Sequence, residues 1–229
     1  MQPQLIVDEK NNLVEARPLR KKQPTSVRII AKIISYIFHP LFIPIYLCWL
    51  TMQTQSHLFG VFTRWEKTIF IIRFAVIYIM FPLVSVLLLR AVGFVSSLYL
   101  TTQKDRIIPY IVSMIWYWWM WYVLHNQPEY PKEFVILSLA IFLACVGGSM
   151  ANISIKISMH AISAGVMAAF VMLLALSQDI NFGVYVSIAV LLTGITCTAR
   201  FIDSDHTAKE IYLGLLIGIG SLLLAVRFA

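Results

Sequence analysis

The chain has 229 residues, 59% of them hydrophobic and 13% charged, with a mean hydropathy of +0.80. That composition excludes an ordinary soluble domain and identifies an integral membrane protein. The formal net charge is +7, but much of it abuts the first membrane segment, which favours lipid headgroups over nucleic acid as the partner.

Residues 1–26 are polar and include Pro3, Pro18 and Pro24. In the first 32 residues Arg17, Arg20, Lys21, Lys22, Arg28 and Lys32 face only Asp8, Glu9 and Glu15. This predicts a basic cytoplasmic or interfacial arm over 1–28, then a transmembrane helical domain over 29–229. The first apolar run is long and lacks a small-residue cleavage site, so no cleavable signal peptide is expected. That run, 29–52, contains Phe38-His39-Pro40 and Pro44, and predicts a kinked helix or a re-entrant segment. His39 reads as a packing or capping group, or as one facing the bundle interior.

A polar connection is expected over 53–67. The second run, 68–92, carries Arg73 and Arg90 near its ends, both placed to snorkel, and Pro82 predicts a kink. The third run, 109–125, holds Trp116-Tyr117-Trp118-Trp119-Met120-Trp121-Tyr122. Such ring density suggests a helix end at headgroup level, with substrate stacking as the alternative. The fourth run, 133–151, carries Gly147-Gly148-Ser149, and the fifth, 157–177, opens with Ser158 and His160. The sixth, 182–199, ends at Arg200; the seventh, 208–226, offers Gly214, Gly218 and Gly220 as a small-residue packing face. The expected fold is therefore all-α: a polytopic membrane bundle of six to seven transmembrane helices. Cys48, Cys145 and Cys197 are far apart in or beside apolar runs and read as free small hydrophobes.

Polar clusters fall at 101–109, 152–160 and 199–210. Two runs separate each from the next, so parity brings all three to one membrane face if every run crosses. There the chain offers Lys104, Arg106, Lys156 and Arg200 as cations, and His160 and His206 as acid, base or nucleophile. Ser158 sits near a helix N-terminus, whose free N–H groups favour an anion. If the seventh run's helix begins as early as Asp205, His206 and Glu210 share a face, and the carboxylate can orient the imidazole. Cations around two histidines suit a phosphoryl group: one histidine attacks phosphorus and the other protonates the leaving oxygen.

Ala199-Arg200-x5-His206-x3-Glu210 resembles the third signature of the type 2 phosphatidic acid phosphatase superfamily, SRxxxxxHxxxD. Ile157-Ser158-Met159-His160 resembles its second signature, PSGH, and Lys104-Asp105-Arg106-Ile107-Ile108-Pro109 a compressed form of its first, KxxxxxxRP. The resemblance covers about 101–210. Departures are Ala199 for serine, Glu210 for aspartate, Ile157 and Met159 for the proline and glycine of PSGH, and the shortened first signature. The resemblance implies that His206 forms a phosphohistidine, Glu210 orients it, and His160 is the general acid. Lys104, Arg106, Ser158 and Arg200 would hold the phosphoryl oxygens, with Lys156 as a possible substitute cation. It implies no metal and no cofactor, and leaves Asp203 and Asp205 without a role.

The expected activity is hydrolysis of a lipid phosphate: phosphatidic acid, phosphatidylglycerol phosphate, a polyprenyl (di)phosphate or a lipid A phosphate. The alternative is a catalytically altered lipid-phosphate binding or transport protein. A metalloenzyme built on His160, His206 and nearby carboxylates is a third reading, without an HExxH or comparable ligand motif. The expected location is a bacterial inner membrane with a cytoplasmic N-terminus. Two crossings then place the site on the cytoplasmic face, whereas a first run that does not cross flips it outward. Bacterial members of the resembled family more often face the periplasm.

Overall fold

A computed structural model describes residues 5–7, 13–15, 23–55, 59–60, 62–94, 103–177, 181–203 and 206–229, with side chains from residue 23 onward except at 103–105. Near the start, strands β1 (Leu5–Val7) and β2 (Leu13–Glu15) pair antiparallel. The other described elements are helices: α1 (Thr25–Ile37), α2 (Ile43–Thr54), α3 (Arg64–Ala75), α4 (Phe81–Ala91), α5 (Gln103–His125), α6 (Lys132–Ser154), α7 (Met159–Leu176), α8 (Gly183–Asp203) and α9 (Ala208–Phe228). Among the described residues, six helical stretches are long and apolar enough to cross a membrane, with α3 and α4 acting as one. The chain is thus a polytopic membrane helix bundle.

The first apolar run is broken in two. Pro40 has no N–H to donate, and the chain leaves helix after Ile37 and resumes at Ile43, where Pro44 occupies the first turn and its missing donor costs nothing. Helices of 13 and 12 residues each reach only ~20 Å, short of a ~30 Å hydrocarbon core. Small Ala31 and Ser35 face the protein, while Ile29, Ile30, Ile33 and Tyr36 are exposed. By contrast, α2 buries Ile43, Leu47, Cys48 and Met52 in the main core.

The chain becomes helical earlier than expected at Arg64, because Thr63 and Glu66 form a capping box that satisfies the first free N–H groups. Between α3 and α4 lies a π turn, Val76–Met80, ending two residues before Pro82. Without an N–H at Pro82 the regular ladder cannot continue, and the extra residue absorbs the break. Arg73, in α3, donates to the Tyr130 hydroxyl at 3.1 Å.

A ring cluster fills the end of the bundle where α2, α3 and α6 meet. Phe59, Phe70 and Phe74 each pack within 6 Å of the Phe134 ring at the start of α6. On α5, Trp116 packs on Phe81 and donates to Ser85 Oγ, whereas Trp118 and Tyr122 stack with each other at the surface. This belt lies ten or more residues past Arg106 along α5, about 15 Å away, so it is remote from the polar clusters.

At the opposite end, α7 and α9 cross at backbone contact distance. A Cβ on Gly165 would strike the Leu215 carbonyl, and one on Gly218 the Ile162 carbonyl. Gly214 is tight but less so, with a Cβ there 3.0 Å from Ala161 Cβ and from the Ser158 carbonyl. Gly220 does not join this face: a Cβ there meets nothing within 4 Å. The small-residue seam is therefore Gly214 and Gly218 of α9 against Gly165 of α7.

Candidate functional site

Helix ends bring the three polar clusters together. Arg106, in the second turn of α5, is buried and donates through Nη1 to the Ile157 carbonyl at 3.0 Å. This ties the first cluster to the second. Ser158 caps α7, its Oγ accepting from the Ala161 N–H at 3.4 Å. The Ser158 N–H in turn donates to the Glu210 carbonyl at 3.4 Å, tying the second cluster to the third. Lys104 lies in the first turn of α5, but its side chain is outside the described residues, as are Ser204 and Asp205. Lys156 is half-buried in the linker between α6 and α7.

His206 and Glu210 form the tightest pair. His206 Nδ1 lies 3.0 Å from Glu210 Oε2, and both residues are under 10% exposed. The helix does not reach back to Asp205. It starts at Ala208, because Thr207 and Glu210 form a capping box: the Glu210 N–H donates to Thr207 Oγ1 at 3.3 Å, and the Thr207 N–H to Glu210 Oε2 at 3.0 Å. Thus His206 precedes the helix, yet still meets Glu210. A carboxylate only accepts, so Nδ1 carries the imidazole proton and Nε2 keeps its lone pair. Burial lowers the His206 pKa; the Glu210 hydrogen bond opposes this, and the Arg106 and Arg200 charges reinforce it. At neutral pH the ring is the uncharged, nucleophilic form.

His160, in the first turn of α7, turns its Nε2 to the Ser35 carbonyl at 3.1 Å, and so carries its proton there. The His39 ring packs edge-on against it, with centroids 5.3 Å apart. His39 Nδ1 accepts from the Leu41 N–H at 3.3 Å, which stabilises the turn after Pro40. So His39 is both a turn-capping group and a neighbour of His160. Arg200, in the last turn of α8, donates to Ser35 Oγ at 3.2 Å and pairs with Asp203 at 3.8 Å. The Arg200 charge also acts on His160.

Arg106, Ser158, His160, Arg200, His206 and Glu210 therefore gather at one end of the bundle. Two contributors from the broken first run were not assigned there from sequence: His39 and Ser35. Ser35 had a faint signal, since Ala31 and Ser35 make a small stripe four residues apart on an otherwise bulky helix. Among the described residues no three His, Cys, Asp or Glu side chains come together in a metal-binding arrangement. Searches against protein-family models, curated proteins and solved structures found no match for the chain.

Proposed function

We propose that the chain is a membrane phosphatase acting on a lipid phosphate. The observation that carries this reading is a buried His206 whose Nδ1 proton is held by Glu210 at 3.0 Å, with the Arg106 and Arg200 charges acting on the same ring. That is an oriented nitrogen nucleophile in an electropositive environment.

The reaction runs in two halves. The Nε2 lone pair of His206 attacks phosphorus, and the bond from phosphorus to the leaving oxygen breaks. A doubly protonated His160 gives its Nδ1 proton to that oxygen and becomes neutral, its Nε2–H staying on the Ser35 carbonyl, while the two guanidiniums neutralise the nonbridging oxygens. Water then attacks the phosphohistidine and gives its proton to His160, and inorganic phosphate leaves with His206 restored. Glu210 balances the charge on the His206 ring throughout. Ser158 at the N-terminus of α7 adds a site for a phosphoryl oxygen.

A second reading, a lipid-phosphate binding or transport protein without turnover, is favoured by one observation. Arg106 and His160 both direct a donor to a backbone carbonyl, those of Ile157 and Ser35.

The basic arm and the apolar helices fit a bacterial inner membrane protein with a cytoplasmic N-terminus. Purified full-length protein, offered phosphatidic acid, phosphatidylglycerol phosphate, a polyprenyl diphosphate and lipid A, tests the reading. Phosphate release that vanadate blocks, chelators spare and His206→Ala abolishes is the expected result. Full turnover by His206→Ala would overturn the assignment of this site.

A further inference from the structure

Beside the site, α1 and α8 leave an apolar groove of about 500 Å³ between them. Its walls include Ile30 and Ile34 of α1 and Leu191, Gly194, Ile195 and Thr198 of α8. Thr198 bonds its hydroxyl to the Gly194 carbonyl at 2.8 Å, so even the polar side chain presents a satisfied surface. The α8 lining runs from Val190 to Ile202, roughly 18 Å along the helix axis. Toward one end, the lining residues Ala199 and Ile34 are followed directly by Arg200 and Ser35, which bond to each other at 3.2 Å.

Groove and cation together define an occupant. The groove lies along a span whose surroundings are hydrocarbon, so a chain there loses no water and gains contact with both walls. Arg200 at its end suits an anionic head, and Ser35 Oγ now holds the place that a phosphoryl oxygen would take on Nη1. We propose that the α1–α8 groove binds one hydrocarbon chain of a lipid whose phosphate head sits at Arg200. This rests on the lipid-phosphate reading and deepens it, because the bound molecule is recognised by its chain as well as by its head. Small Gly194 keeps the groove open: a Cβ there meets nothing within 4 Å, so a larger side chain fills the space without displacing a wall.

The experiment uses the full chain reconstituted in phosphatidylcholine vesicles. The probe is phosphatidic acid carrying a diazirine in one acyl chain; the control is diacylglycerol with the same chain. Photolabelling is mapped by mass spectrometry, and turnover is measured in parallel. The phosphatidic acid probe should label 27–34 and 190–202 at least ten-fold more than diacylglycerol does. Gly194→Phe, with unchanged circular dichroism and elution, should remove most of that labelling. Equal labelling by the two probes, or labelling indifferent to Gly194→Phe, overturns the groove. Phosphate-dependent labelling without turnover of any substrate keeps the groove and sinks the phosphatase reading. Turnover with labelling elsewhere sinks the groove alone.

Discussion

The Ser158 N–H donates to the backbone carbonyl of Glu210 at 3.4 Å, so the residue that caps α7 touches the residue that orients His206. These positions are 52 residues apart in sequence, and the close α7–α9 crossing brings them together. The site is therefore only as well placed as that crossing.

Glu210 serves two ends: it closes the capping box of α9 and it holds His206 Nδ1. Glutamine also fits a capping box, so Glu210→Gln separates the roles. Glu210→Gln should keep the thermal midpoint within a few degrees but lower kcat by about two orders of magnitude or more, because the ring loses its charge partner. Glu210→Ala should lose both, with about 1 kcal/mol of helix-capping stability gone. Phosphate-release kinetics beside thermal unfolding of each variant provide the check.

The pH dependence follows from the lowered His206 pKa. The folded ring binds fewer protons than the unfolded one between its depressed pKa and the ordinary value of about 6.5. Its contribution to stability is thus present above that ordinary value and is lost as pH falls through the depressed one. Activity should show an acid limb below 6.5, where the lone pair is protonated. Arg106→Gln removes a positive charge that lowers the pKa, so the limb should move to higher pH. A limb that stays in place would disconnect Arg106 from His206.

Backbone contact at Gly165 and Gly218 leaves no room for a methyl group. Gly218→Ala should push α9 off α7 and cost about 1–3 kcal/mol. Phosphate release should fall with it, since the pairing of Ser158 with Glu210 depends on the same approach. Gly220→Ala faces open space and should be neutral or slightly stabilising. Thermal unfolding in one detergent ranks the two.

His39 supports His160 through a ring edge at 5.3 Å. It acts as a positioning residue, so His39→Ala should lower kcat about ten-fold with KM little changed, as the general acid loses its fixed orientation. His39→Phe restores the ring edge without the second nitrogen and should recover most of the rate. Failure of phenylalanine to rescue would instead assign the nitrogen itself a task.

Much of the architecture is written in the chain. Apolar runs long enough to cross announce the helices, because backbone groups in hydrocarbon must bond within their own segment. Pro40 and Pro44 mark the break in the first run, and Pro82 the irregularity at the π turn, since a missing N–H is a local property. The pairing of His206 with Glu210 is also local, four residues apart, although the helix boundary is set by the Thr207 capping box rather than by the histidine.

What the sequence could not decide is which side chains from distant segments converge. Parity brings the clusters to one face, but only packing chooses that Arg106 meets Ile157 and that Ser35 meets both His160 and Arg200. Ser35 and His39 belong to a segment broken at Pro40, and they join the site because α1 and α2 lie against α8 and α7. Long-range contact depends on how small residues let helices approach, a relation between surfaces that no single stretch of chain contains.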